Sequence, residues 1–406
     1  MSGDAQAEGG QTPRPVLDGV RVLDFGKYVA GPYCAAILAD FGAEVIRIER
    51  PGGGDDRTVV PVTANGEGAL FAQMNRNKAS MCLDQRQADA TEVVRRLVGT
   101  ADVVIANVPE PMLVELGLDY ATLSAIKPDI ILVNASSFGA EGPWAGRGGF
   151  DSVGQAMCGS TYLSGDEARH YRTPITWVDH ATALYAAIGV MMALLERRES
   201  GRGQQVGASL LGSALSFSAT YLIEEAMIGI GRKAIGNRSF VNGPTDLFAC
   251  RDGEIVTQVV GDGLFRRWTR LIGEPHWLDD PRFATDASRG EHGAILSERM
   301  AAWCAERDCA GALEALARAG IPAGPVLSPS AALTHPQVAA SGLIEPVALE
   351  GGAPSMPLVN LPVRLSRTPS RIVSPPPASG ADSVRILTSL GFTAAQVRDL
   401  AGRGVI

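Results

Sequence analysis

Between Val20 and Asn134 the chain alternates short apolar strands with helices, and this alternation constrains its fold more than any other feature. Val20–Phe25 (VRVLDF) reads as a strand, followed by a Gly26…Gly31-Pro32 turn, the helix Tyr33–Phe41 and the strand Glu44–Glu49 (EVIRIE). Strand, helix and strand at this spacing form a βαβ unit, which requires parallel pairing through a right-handed crossover. The pattern continues with Ser80–Leu83, a helix near Ala90–Leu97, the strand Asp102–Ala106, a helix near Tyr120–Ile126 and the strand Asp129–Asn134. It predicts an α/β fold with an open, mostly parallel sheet, and it places a ligand at the carboxyl ends of the strands. The first turn spaces its glycines as G-x4-G, so a nicotinamide or flavin dinucleotide is not indicated.

Beyond the alternation lie a long helical run, Ala181–Glu199, a glycine-broken turn at 199–205 and a second apolar helix near Leu210–Ile228. The character then changes. Asp246–Cys250 and Glu254–Val260 flank Arg251-Asp252-Gly253 as a hairpin, and helices near Phe265–Ile272 and Ile295–Ala317 follow. The expected organisation is a disordered tail (1–15), a large domain (16–224), a small α+β domain (225–325) and a return to the large domain (326–406). In that return, Pro-rich stretches at 353–362 and 367–378 read as an extended strap, and Ser383–Leu390 and Thr393–Ala401 as two short helices.

Composition narrows the partners. The net charge of −8 argues against nucleic acid or an anionic membrane as the main partner. Six cysteines (34, 82, 158, 250, 304, 309) without a CxxC spacing read as reduced thiols of a cytoplasmic protein. Histidines 170, 180, 276, 292 and 335 show no HxH or HxxH spacing, so no metal site is expected. The start of the chain has no apolar core of a signal peptide, and the run Ala181–Leu195 is too short for a membrane span and ends in Glu-Arg-Arg.

Asp179, in Thr-Trp-Val-Asp-His at the head of the long helix, has two readings. Its oxygens can cap free backbone N–H groups at the helix start. Alternatively, the positive end of the helix dipole keeps it ionised, and a carboxylate facing a cleft can attack an activated acyl group.

Several segments together resemble one family, the class III CoA-transferases (CaiB/BaiF). They are Leu17–Asp24, Ala30-Gly-Pro32, Leu38–Asp55, Asn75-Arg-Asn-Lys78 with Ser80, Gly149-Phe-Asp151, Asp179, Gly201-Arg-Gly-Gln204 and Gly320–Val326, in the family's order across nearly the whole chain. The resemblance implies an acyl-CoA enzyme with a Rossmann-like large domain and a smaller domain, folded as an interlocked homodimer. It places the family's catalytic aspartate on Asp179. The chemistry it implies runs from thioester to mixed anhydride to aspartyl-CoA thioester and back. CoA is then a co-substrate, a small carboxylic acid is the acceptor, and no permanently bound cofactor or metal is needed.

The resemblance also assigns binding residues. Arg50 falls on an arginine that contacts the CoA nucleotide, and Asn107 on an asparagine of the pantetheine–phosphate path. Glu110 and Glu115 stand where relatives often carry basic residues, which makes Arg76 and Lys78 candidates for a phosphate grip; a solvated surface pair is the other reading. Val29, where formyl-CoA:oxalate transferases carry glutamine, points away from an oxalate-specific site. Gly261, Asp262 and Gly263 occupy the region of a loop that covers the site in relatives; a plain strand-to-helix turn is the other reading. Arg147, Arg172 and Arg238 are candidates for holding the far carboxylate of a dicarboxylic acid.

Racemases of the same family need a histidine opposite the aspartate, in a Gly-His-Asp stretch. Here the stretch is Gly149-Phe150-Asp151, and Phe150 cannot exchange a proton. His180 would point roughly 100° away from Asp179 on a helix, a poor substitute. Transfer is therefore favoured over racemisation, with a non-catalytic acyl-CoA binding protein as a third reading.

Overall fold

The computed structural model describes residues 13–63, 66–349 and 355–406; most of the tail expected to be disordered, residues 1–12, lies outside them. The chain divides into two compact units. Unit 1 comprises residues 1–158, 174–222 and 340–406, and unit 2 residues 159–173 and 223–339. Relative to the sequence reading, the second unit also takes in 159–173 and runs on to Ala339.

Unit 1 opens with β1 (Arg21–Asp24), α1 (Ala30–Asp40), β2 (Glu44–Glu49), α2 (Ala69–Asn75), β3 (Lys78–Cys82), α3 (Ala90–Thr100) and β4 (Val103–Ala106). It continues through α4 (Glu110–Glu115), α5 (Tyr120–Ile126), β5 (Ile131–Ser136) and α6 (Asp151–Met157). A short helix of unit 2, α7 (Ser160–Leu163), precedes α8 (Trp177–Ser200), β6 (Gln205–Ser209) and α9 (Leu210–Ile228). The six strands form one sheet in the order β3-β2-β1-β4-β5-β6, every neighbour parallel. The strand order reverses on either side of β1 and β4, where an open α/β sheet leaves a crevice at its carboxyl edge.

The central strands are buried on both faces, as their near-continuous Val/Ile/Leu runs require. One face, carrying Leu23, Ile46, Val104 and Leu132, packs against α3 (Val93, Leu97) and the C-terminal helices. The other, carrying Val22, Val45, Ile105 and Val133, packs against α1 and α8 (Ala183, Ala186, Val190). By length and composition α8 is apolar enough to cross a bilayer, and half of that stretch is buried within the protein. Its opposite face leaves Leu184, Tyr185, Ile188, Met192 and Leu195 exposed.

Unit 2 contains β7 (Thr245–Ala249), β8 (Glu254–Gln258), α10 (Gly261–Leu271), α11 (Asp286–Glu291), α12 (Gly293–Ala305), α13 (Cys309–Arg318), β9 (Ala323–Pro325) and α14 (Pro329–Thr334). The strands make a small antiparallel sheet, β7-β8-β9, over a core of Phe248, Phe265, Trp268, Phe283 and Trp303. The single helix expected over Ile295–Ala317 is two, because Asp308 accepts a hydrogen bond from Gly311 N (2.8 Å) and starts a new helix.

Helix α15 (Pro336–Ser341) leads back to unit 1 and the antiparallel pair β10 (Ile344–Val347) and β11 (Met356–Val359). The expected strap then runs along the large unit. Asn77 accepts hydrogen bonds from Val373 N (2.7 Å) and Ser374 N (3.0 Å), and Gly380 N donates to Ser80 Oγ (2.8 Å). Helices α16 (Ser383–Ser389) and α17 (Ala394–Gly402) finish the chain against the sheet's first face.

Candidate active site

Asp179 is the third residue of α8 and is half-buried. The free N–H groups of that helix start are all satisfied without its side chain. Trp177 N donates to Ile175 O (2.9 Å) and His180 N to Thr176 O (3.2 Å). Val178 N and Asp179 N both donate to Asp151 Oδ1, at 2.7 and 3.2 Å. The cap therefore comes from Asp151, a buried residue at the start of α6, whose other oxygen accepts from Gln155 Nε2 (2.5 Å). The capping reading of Asp179 is thus corrected: its carboxylate accepts no hydrogen bond from any described residue.

The electrostatics are corrected as well. Burial, and then the neighbouring charge of Asp151, push the Asp179 carboxyl up to about 7. Near neutrality the acid is therefore poised between its two forms. His180 is engaged elsewhere: its Nδ1 lies 2.7 Å from Thr176 O, and its ring meets Tyr33 edge-on at 5.1 Å.

At the carboxyl edge of β1, β2, β3 and β4 lies a cavity of about 310 Å³. Its apolar wall is Phe25, Leu83, Val108, Met112, Leu116 and Leu118, and its cationic rim is Lys27, Arg50 and Arg86. An apolar wall beside exposed cations suits a nucleotide with phosphates. Arg50 is the one sequence candidate that lines it: the side chain is largely exposed, pairs with Asp55, and donates from Nε to Gly53 O (2.8 Å). Lys27 and Arg86 were not singled out from sequence. Their signal was position alone, just after β1 and just after β3.

The other candidates sit differently. Arg76 is wholly buried and paired with Asp40 (2.6 Å). Lys78 is bonded to Asp24 Oδ2 (2.7 Å), Pro32 O (2.8 Å) and Asn75 Oδ1 (3.0 Å). Burial lowers the Lys78 ammonium to about 8 despite Asp24. Both cations are spent on buried partners that hold the sheet edge together from inside. The Asn107 amide is likewise occupied: Oδ1 accepts from Lys27 N and Nδ2 donates to Lys27 O, each at 2.8 Å. It clamps the loop after β1. The Val29 side chain is buried at the start of α1.

Glu110 accepts a hydrogen bond from Asn134 Nδ2 (3.3 Å), and Glu115 is exposed. The exposed Arg147 stacks over Trp144, 4.5 Å from its ring centre. Arg172 and Arg238 belong to unit 2, where each donates to a nearby carbonyl, Thr173 O and Ile235 O. Gly261, Asp262 and Gly263 form the first turn of α10. Gly261 takes φ 80° and donates to Asp286 Oδ2 (2.7 Å), while Asp262 pairs with Arg289 (2.7 Å). Among the described residues no group of three or more His, Cys, Asp or Glu side chains is placed to hold a metal ion.

Comparison with known proteins decides what this arrangement belongs to. The family model for CoA-transferase family III matches residues 17–383. The chain belongs to that family. Among its relatives within CoA-transferase family III, the succinyl-CoA–D-citramalate CoA-transferase of Chloroflexus aurantiacus is 34% identical, over 97% of this chain and 98% of the relative. The succinate–glutarate CoA-transferase of Agrobacterium fabrum is 33% identical, over 93% of this chain and 96% of the relative. A solved CaiB/BaiF family protein from Brucella suis is 31% identical and superposes with a TM-score of 0.79, covering 93% of this chain and all of that one. The chain is an α/β CoA-transferase, and CoA is its co-substrate.

Proposed function

We propose that this CoA-transferase moves CoA from an acyl-CoA donor to a free carboxylic acid through covalent intermediates on Asp179. The observation that carries this reading is the state of Asp179: half-buried, with no hydrogen-bond donor on its oxygens among the described residues, and relieved of capping duty by Asp151. A carboxylate in that state is a better nucleophile than one tied to backbone amides. It attacks the acyl carbonyl, the C–S bond breaks, and CoA leaves as thiolate, giving a mixed anhydride. The thiolate attacks the aspartyl carbonyl and releases the donor acid. The acceptor carboxylate then attacks the aspartyl thioester, and the thiolate, expelled again, takes the new acyl group and frees Asp179. Each step exchanges bonds of similar energy, so positioning carries most of the rate.

The substrates proposed are dicarboxylic, because the similar proteins are named for succinyl-CoA, succinate, glutarate and citramalate. A distal carboxylate is proposed to be held by an arginine, with Arg147, Arg172 and Arg238 as separate candidates. The cavity beside Arg50, Lys27 and Arg86 is proposed for the CoA nucleotide. The covering role of Gly261, Asp262 and Gly263 enters as that of a helix start tied by Asp262 to Arg289. An interlocked homodimer is supported by the apolar side chains that α8 and α9 leave exposed, Leu184, Ile188, Met192 and Phe217 among them. A cytoplasmic setting is supported by six free cysteines.

Racemisation is not favoured. Phe150 has no proton to exchange, His180 is bonded to Thr176 O, and the similar proteins are named as transferases. Incubation with succinyl-CoA and a panel of free acids tests the reading: new CoA esters support it, and α-deuterium incorporation in D2O without exchange of CoA overturns it.

A further inference from the structure

Two aromatic residues outside the cavity link it to Asp179. Tyr28 directly follows Gly26 and Lys27, which line the cavity, and Phe150 directly precedes Asp151, which binds the Asp179 amide. Their rings meet edge to face, with centroids 5.8 Å apart at 86°. Shared packing of Ala30 and Val178 in one buried cluster also brings the starts of α1 and α8 together.

Tyr28 is held in a conformation that costs free energy. Its φ is 63°, a left-handed value uncommon for residues other than glycine and of order 1–3 kcal/mol in cost. The surroundings enforce it. Tyr28 N donates to Asp56 Oδ2 (3.1 Å), and Asp56 is gripped by both 2.9 Å hydrogen bonds of the buried Arg47 Nη2. Lys27, one residue earlier, is clamped by Asn107. An edge-to-face pair adds about 0.5–1.5 kcal/mol to the hydrogen bonds that fix this loop.

Phe150 is not a core residue either. It is 64% exposed, so its removal leaves no cavity in the fold. The main chain beside it is nonetheless rigid, because the Asp151 carboxylate ties it to α8 through two hydrogen bonds. An exposed ring on a fixed mount, braced by a strained tyrosine, is suited to cover something that arrives between the cavity and Asp179.

We infer that the Tyr28–Phe150 pair is an apolar wall beside the acyl group that limits attack of water on the Asp179 acyl intermediate. The inference rests on the covalent reading above. The reaction it suppresses is balanced as follows. Water oxygen bonds to the acyl carbon of the mixed anhydride, the acyl–oxygen bond to Asp179 breaks, and the aspartate leaves with the bonding pair. The thiolate is protonated to free CoA, so the net change is acyl-CoA plus water to acid plus CoA. Tyr28 and Phe150 act through packing and exchange no proton.

The test compares wild type with Phe150→Ala, Tyr28→Ala and Phe150→Leu in intact protein. Free thiol released from succinyl-CoA without acceptor measures hydrolysis, and new acyl-CoA with acceptor measures transfer. Phe150→Ala and Tyr28→Ala are expected to raise the hydrolysis-to-transfer ratio at least about fivefold, while Phe150→Leu, which restores apolar bulk, stays near wild type. An unchanged ratio in both alanine variants, with unaltered melting curves, overturns the wall. Adding Asp179→Ala separates the two claims. Abolished hydrolysis in the Phe150→Ala/Asp179→Ala double variant places the extra water attack on the aspartyl intermediate, as inferred. Transfer that survives Asp179→Ala alone overturns the covalent reading and this inference with it.

Discussion

Asp151 Oδ1 accepts the backbone N–H groups of Val178 and Asp179, so one aspartate caps the helix start while the other, three residues into the helix, keeps its carboxylate free. The same arrangement sets the acidity of the free one. Taking Asp179 out of water raises its pKa, and the nearby Asp151 charge raises it further, to about 7.

The first consequence is a pH profile. The nucleophile is the ionised form, and with a pKa near 7 about a tenth of it is ionised at pH 6 and about nine-tenths at pH 8. Transfer rate at saturating acyl-CoA is expected to rise through this range. Asp151→Asn keeps an oxygen for the helix cap but removes the charge, so its acidic limb is expected to move to lower pH. A rate profile of both proteins between pH 5 and 9 checks this.

The second consequence concerns stability. Between the ordinary carboxyl value of 3.8 and about 7 the folded protein holds a proton that the unfolded chain releases, so stability falls as pH rises through that window. Above it the ionised Asp179 is a standing cost. Asp179→Asn is therefore expected to raise the melting temperature at pH 8 and to change it little at pH 4, as thermal denaturation at both values measures.

Arg50, Lys27 and Arg86 are expected to act on acyl-CoA binding. Replacing Arg50 by Ala should raise KM for acyl-CoA by about three- to tenfold, with little change in kcat, as loss of an exposed phosphate contact does. The effect should shrink at high salt. Steady-state kinetics at two ionic strengths reads both numbers.

Arg76 and Lys78 should behave otherwise. Each belongs to a buried ion pair, and removing one partner strands a charge at a cost of about 3–5 kcal/mol. Lys78→Met is expected to lower stability by that order in urea unfolding. An unchanged midpoint with a raised KM for acyl-CoA would return Lys78 to the phosphate grip.

The parallel sheet was legible because its strands are apolar runs broken by turns, and β2 and α5 fall at the expected boundaries. Strand β6 was not, because Gln205–Ser209 is a short edge strand of small and polar residues without a hydrophobic run. Asp179 was legible as a helix-start acid, but its freedom from capping was not, since the cap comes from Asp151, 28 residues earlier. The fate of Arg76, Lys78 and Asn107 was hidden for the same reason. A basic or amide side chain beside a strand reads alike whether it faces a ligand or the interior, and only Asp40, Asp24 and the Lys27 backbone decide.

The central claim is that Asp179 becomes covalently linked during transfer. Its most direct test is peptide mass mapping after incubation with succinyl-CoA and quenching with hydroxylamine, which converts an activated carboxyl to a hydroxamate. A hydroxamate at Asp179, formed only when acyl-CoA is present and absent from Asp151 and Glu110, is the predicted result. Undiminished transfer with Asp179 unmodified, or in Asp179→Ala, would contradict it.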